Sequence, residues 1–254
     1  MRISRGLIVL AAAILLAPSA AHAQVLGTFK WYGVGNSFVW AYKQANNSTL
    51  SVYGGAAYQA QFKINSTFAW LPPHGTTAFG PVDDIYCVDF KHHAQSQYSA
   101  YFTQLATGSL TKTRSSNQNA YLKAAWLIQK MDTTPITNQS QRADIHAAIW
   151  YMMSGDPVAV QHGSLYTSTG LNSWVSQANA NYNDGSVNAG QWTIVTDACV
   201  ANGHTNGAGF SAADNCSQEF LTRNVTPEPA TLILLGTGLL VTLAMTGVIK
   251  RPEA

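Results

Sequence analysis

The sequence predicts an α+β ectodomain followed by one transmembrane helix. In this prediction a β-rich lobe, either a barrel or a sandwich, carries an inserted helical lobe. Three observations support it. Short segments with strand character fill the chain from about residue 38 to residue 90. The middle of the chain then changes to a helical period, and an uncharged apolar run occupies residues 231–249.

The β part is predicted from four segments, at residues 38–42, 49–53, 58–64 and 85–90. All four are rich in aromatic and branched residues or alternate between apolar and polar side chains. The last one reads Ile-Tyr-Cys-Val-Asp-Phe. A period of two places Cys87 and Asp89 on one face of that strand and Tyr86 and Val88 on the other.

Three helices are predicted in the middle of the chain, at residues 119–131, from Asn138 or Ser140 to residue 153, and at residues 171–182. Each has apolar residues at helical spacing, and Asn or Ser provides a good N-cap for the second. Gly155 and Pro157 end that second helix. A strand at residues 191–196 follows the third, which completes a β part interrupted by a helical insertion.

The N-terminal residues 1–23 have the three parts of a secretory signal peptide. Arg2 and Arg5 form a basic region, residues 7–16 form an apolar region too short to span a bilayer, and Ala21-His22-Ala23 fits a cleavage site. We therefore expect Gln24 to be the first residue of the mature protein, the alternative being an uncleaved anchor.

The C-terminal segment, residues 223–254, has a three-part order of its own. Pro227, Glu228 and Pro229 precede the apolar run at residues 231–249, which is long enough to span a bilayer as a helix, and Lys250 and Arg251 follow it. This layout resembles the PEP-CTERM sorting signal of Gram-negative bacteria. The resemblance implies an exported protein, anchored in the inner membrane as a precursor, processed by an exosortase, and then located at the cell surface or outside the cell.

The ectodomain is close to neutral and has few charges. The whole chain has 14 Lys and Arg against 12 Asp and Glu, and four of the cations and two of the acids lie outside residues 24–226. Because there is no basic cluster, the composition gives no support for nucleic-acid binding. No Gly-x-Ser-x-Gly or Walker sequence is present, so the common hydrolase and nucleotide-binding motifs are missing.

The chain has three cysteines, Cys87, Cys199 and Cys216. In an oxidising compartment we expect Cys199 to pair with Cys216 across the Gly- and Asn-rich residues 202–215, which would stabilise the fold by about 3 kcal/mol. Cys87 is then unpaired. It is either a reactive thiol, an intermolecular partner or a small buried hydrophobe.

Two segments, residues 86–89 (Tyr-Cys-Val-Asp) and residues 145–150 (Ile-His-Ala-Ala-Ile-Trp), resemble the thioester domains of bacterial surface proteins. On this basis residues 24–222 are interpreted as a thioester-like α+β ectodomain. In that family a Cys on a strand condenses with a Gln four residues before the Trp of an Ala-Ile-Trp motif. Cys87 matches the Cys, but the Gln position is His146, which has no carboxamide to exchange. The resemblance therefore implies the scaffold without the cross-link.

Three functions follow from these residues. The first, which the resemblance to PEP-CTERM proteins implies, is a non-enzymatic structural or adhesive protein associated with exopolysaccharide, biofilm or surface proteins, with no cofactor. The second is a Cys-His hydrolase or acyl-transferase in which His146 activates Cys87 and Asp89 orients an imidazole. The third is a covalent adhesin that forms a thioester through another residue, for which Gln139 and Gln141 lie nearest.

Cys87, Asp89, His92 and His93 include metal-ligand types but match no standard zinc spacing, so we expect no metal site.

Overall fold

The computed structural model describes residues 24–34, 37–44, 49–55, 58–64, 82–89, 92, 94–107, 109–155, 158–201 and 216–223. The chain divides into two compact units, Met1–Arg223 and Asn224–Ala254, and every described residue lies in the first. The predicted signal peptide, the Pro-Glu-Pro box and the predicted span at 231–249 lie outside the described residues. Within the described residues, no helix has the length and apolar character needed to cross a membrane.

Six antiparallel strands form a curled sheet whose pairings close into a ring. In order around the ring they are β1 (Gln24–Val34), β4 (Tyr58–Ile64), β5 (Val82–Cys87), β10 (Phe220–Arg223), β9 (Trp192–Asp197) and β6 (Gln97–Gln104). β6 pairs with β1, with Phe29 opposite Tyr98, so neither strand is left as an edge. Of the two predicted forms of the β-rich lobe, a barrel or a sandwich, the structure therefore adopts the barrel.

A second, four-stranded sheet is built from two hairpins inserted between barrel strands. Its order is β3 (Thr49–Gly55), β2 (Ser37–Gln44), β7 (Val158–His162) and β8 (Leu165–Thr167). The strand predicted at residues 58–64 matches β4 and those at 38–42 and 49–53 lie inside β2 and β3. The strand predicted at 85–90 begins earlier and ends at Cys87.

The helices are α1 (Gln118–Thr133), α2 (Gln139–Ser154), α3 (Thr169–Asn181) and the short α4 (Ala198–Ala201). The first three lie between β6 and β9 in the sequence, so the helices form an insertion as predicted. Asn138 caps α2 by accepting the backbone N–H of Gln141. Gly155 ends α2 with a φ of 73°, in the left-handed region that glycine adopts without strain.

Two hydrophobic clusters share strand β5. Ile85 and Cys87 belong to the barrel interior, where Phe29 stacks on Phe220 with ring centroids 5.4 Å apart. Tyr86 and Val88 belong to the cluster formed with the helices. The period-two prediction is therefore correct for Tyr86, Cys87 and Val88, whereas Asp89 lies beyond the end of the strand. β5 is the layer that separates the barrel interior from the helical lobe.

Candidate functional site

Cys87 is the last residue of β5 and is sealed in the core, with only 2% of its surface exposed. Its Sγ donates a hydrogen bond to the carbonyl oxygen of Asp89 at 3.0 Å. Burial raises the pKa of the thiol well above its ordinary value, and the charge of Asp89 adds to this effect; hydrogen bonds with the Asp89 backbone and the Trp150 side chain act in the opposite direction. The sulfur is therefore a neutral thiol.

His146 lies on α2 and faces the same point of the chain from the other side. Its Nε2 donates to the carbonyl oxygen of Cys87 at 3.2 Å, and its ring packs on Trp150 with centroids 4.2 Å apart. The residue is 1% exposed. Burial lowers the pKa of His146 from 6.5 to about 4; the nearby charge of Arg142 acts in the same direction, while the hydrogen bond to Cys87 opposes it. The imidazole is therefore neutral at physiological pH.

The structure brings Cys87 and His146 together, but the contact is not that of an activated nucleophile. The His146 ring nitrogen that reaches Cys87 donates to its carbonyl oxygen and not to the thiol. The thiol itself donates its hydrogen to the carbonyl oxygen of Asp89. A thiolate–imidazolium pair would instead require a lowered thiol pKa and a charged ring. Both groups are held in their neutral forms.

Asp89 was expected to orient an imidazole, and it does so for His92 rather than His146. Its Oδ2 lies 2.6 Å from Nδ1 of His92 and 3.0 Å from Nε of Arg114. Asp89 is fully buried. Asp89 therefore contacts His92 and Arg114, which follow it in the chain, and the imidazole that it orients is that of His92. No group of three metal-ligand side chains converges in the described part of the chain.

Arg114 and Glu219 form a buried polar network that the sequence analysis did not predict. Glu219 accepts the hydroxyl of Tyr121 at 2.5 Å, that of Thr196 at 2.6 Å and the backbone N–H of Arg114 at 2.8 Å. The Arg114 guanidinium donates to the carbonyl of Ser217 at 2.9 Å. Burial raises the pKa of Glu219, and these hydrogen bonds oppose the rise. Charged residues are rare in this chain, which is the one sequence signal that could have drawn attention to both.

The predicted disulfide between Cys199 and Cys216 is present, with 5.7 Å between the Cα atoms. The carboxylate of Asp197 fixes both ends, since it accepts the backbone N–H of Cys199 at 2.9 Å and that of Ser217 at 2.7 Å. Cys87 is the free cysteine that remains.

Neither nearby glutamine replaces the missing carboxamide. Gln139 and Gln141 lie in the first turn of α2, at least one helical turn before His146. The Gln141 side-chain oxygen accepts a hydrogen bond from Asn138 at 2.5 Å in an exposed position. The side chain at the required helix position is that of His146.

Comparison of the chain with protein-family models, curated proteins and solved structures gives no match.

Proposed function

We propose that this chain is an exported cell-surface or extracellular-matrix protein with a structural or adhesive role, associated with exopolysaccharide or biofilm and sorted by an exosortase. Its partners are the exosortase, the membrane through residues 231–249, and then exopolysaccharide or other surface proteins. In this proposal the Cys87 centre serves the packing of the fold and forms no cross-link.

One observation carries the proposal: the 3.2 Å contact between His146 Nε2 and the carbonyl of Cys87. The thioester resemblance pairs these two positions, and they are neighbours across β5 and α2. The residue at the Gln position is, however, a neutral imidazole, and a thioester needs a carboxamide that can lose ammonia. The pair therefore supports a thioester-like scaffold in which the reactive bond has been replaced by core packing.

The disulfide and the low charge agree with an extracellular location. Disulfides such as that between Cys199 and Cys216 persist in oxidising compartments and are rare in the cytosol. An ectodomain with few charges does not attract nucleic acid by its electrostatic field.

The test is to express the full chain in a bacterium that has an exosortase and to recover the product from the envelope and from the medium. We expect a product processed at both ends, near Gln24 and near residues 227–229. Replacement of Pro227, Glu228 and Pro229 by alanine should leave the protein in the membrane fraction. Equal processing of the alanine variant would contradict the sorting part of the proposal.

The intact mass of the same product tests the centre. We expect a mass lower than the sequence mass only by the two hydrogens of one disulfide, with Cys87 alkylated after denaturation and protected before it. The matched control is Cys87→Ala, which should lose the alkylation and nothing else. A product lighter by one further ammonia, which gains the mass of one methylamine on treatment with methylamine, would instead establish a covalent thioester.

A further inference from the structure

A second group of reactive side chains lies away from Cys87, where α2 meets β7. His162 is the last residue of β7, and its Nδ1 is 2.7 Å from the hydroxyl oxygen of Ser140. Its Nε2 is 2.9 Å from Oδ1 of Asp144. Ser140 and Asp144 are four residues apart on α2 and so lie on one face of the helix. The imidazole therefore connects a hydroxyl to a carboxylate.

The hydrogen-bond chemistry of the neutral imidazole fixes the direction of this chain. A carboxylate only accepts, so Nε2 carries the hydrogen and donates it to Asp144. Nδ1 then has a lone pair and accepts the hydroxyl hydrogen of Ser140. This is the order of nucleophile, base and orienting acid that defines a catalytic triad, with the two ring nitrogens exchanged relative to the serine proteases.

The carboxylate of this group is more deeply buried than the imidazole. The side chain of Asp144 is 11% exposed and that of His162 is 29% exposed. Gly170, in the first turn of α3, packs so closely against Asp144 that a Cβ there would overlap the carboxylate. Burial raises the pKa of Asp144, while the hydrogen bond with His162 acts to lower it.

Donors for a developing oxyanion lie beside the hydroxyl, because Ser140 is in the first turn of α2. Of the four N–H groups at the start of the helix without an intrahelical partner, that of Asn138 donates to the carbonyl of Pro135 and that of Gln141 donates to the side-chain oxygen of Asn138. Among the described residues, the N–H groups of Gln139 and Ser140 have no acceptor. Together with the positive end of the helix they can stabilise negative charge next to the nucleophile.

We propose that Ser140, His162 and Asp144 form an acyl-transfer site for esters with a short acyl chain, an activity beyond the structural role proposed above. The Ser140 oxygen forms a bond to the acyl carbon as its proton passes to Nδ1 of His162. The bond between the acyl carbon and the alcohol oxygen then breaks, and the alcohol leaves with that proton. Water attacks the acyl-serine in the same way, and the products are a carboxylic acid and free Ser140.

The test uses the full chain in a non-ionic detergent, with p-nitrophenyl acetate as the substrate and a fluorophosphonate as the covalent probe. We expect the probe to be mapped to Ser140. We expect Ser140→Ala to abolish the labelling and to lower the acetate-release rate at least about tenfold, since a positioned general base contributes on the order of 10²-fold or more. Asp144→Asn should lower the rate in the same direction. The matched control is Ser173→Ala, an exposed serine on α3 that should change neither readout.

A second variant keeps the proposal testable where alanine disturbs the helix start. Ser140→Cys should give a thiol that reacts with iodoacetamide faster than Cys87, and His162→Gln in that background should slow it at least about tenfold, because the base is lost. Labelling that persists in Ser140→Ala, an acetyl group found on His162 alone, or a Ser140→Cys thiol indifferent to His162→Gln would each overturn the proposal.

Discussion

Because His146 is buried as a neutral ring, it should lower the free energy of unfolding in mild acid. Comparison with a variant that lacks the imidazole should separate this contribution from those of the other titratable groups. The perturbation is His146→Leu, which fills a similar volume and does not titrate. Burial lowers the pKa of His146 from 6.5 to about 4 in the folded chain. Each pKa unit corresponds to about 1.4 kcal/mol, so the full effect is roughly 3 kcal/mol.

The sign follows from where the proton binds. Between pH 6.5 and pH 4 the unfolded chain binds a proton at His146 and the folded chain does not, so the free energy of unfolding falls as the pH falls through this window. Glu219 has the opposite sign. Its pKa is raised in the folded state, so its contribution is present at low pH and is lost as the pH rises above the ordinary value of 4.5. Subtracting the variant from the wild type cancels Glu219 and leaves His146.

The assay is urea unfolding of residues 24–226, followed by tryptophan fluorescence, at intervals from pH 7.5 to pH 4. We expect the wild type to lose roughly 3 kcal/mol more than His146→Leu across that range. The variant has a constant offset from the lost hydrogen bond to Cys87, which does not affect the difference between the two slopes. If the free energy of unfolding depends on pH in the same way for both proteins, His146 can be protonated in the folded protein. That result would refute the inference that its imidazole is held neutral.

Two further changes test the covalent and ionic parts of the core. Replacing Cys199 and Cys216 together by alanine removes a cross-link over a sequence separation of 17, which should lower the free energy of unfolding by about 3 kcal/mol in urea; a loss below about 1 kcal/mol would mean that the linked ends are held by other contacts. Arg114→Met leaves the buried Asp89 without its contact to the guanidinium and should cost about 3–5 kcal/mol in thermal unfolding. Lys112→Met, a control on a partly exposed cation, should cost less than about 1 kcal/mol. Equal losses for the two methionine variants would mean that the Arg114 ion pair does not support the core.

The sequence was informative where a local pattern decides the structure. Strand β4 alternates regularly, and α1 and α2 have caps and helical periods, so all three were predicted close to their observed bounds. β1 was missed, although its eleven residues form two barrel pairings, because small and polar residues interrupt its pattern. β10 has four residues, too few for a period to be recognised.

The same distinction between local patterns and long-range contacts applies to the candidate site. The proximity of Cys87 and His146 followed from the resemblance to thioester domains. The hydrogen bond from His146 Nε2 to the Cys87 carbonyl depends on the orientation of the imidazole ring, which a sequence pattern does not specify. Arg114 and Glu219 are 105 positions apart and meet only because β10 closes the barrel. Ser140 and His162 are 22 positions apart and on different kinds of element, so no motif spacing relates them.

The position of β10 in the ring determines when the barrel can be completed. β10 is the last strand among the described residues and lies between β5 and β9, two strands that come earlier and do not pair with each other. A chain that emerges N-terminus first therefore exposes two unpaired strand edges until residue 223 has arrived. Glu219 immediately precedes this strand and is synthesised with it. Its three hydrogen-bond partners, Tyr121, Thr196 and Arg114, therefore lack this carboxylate until the same stage. Any product truncated before this point would retain open edges, which invite pairing with other chains.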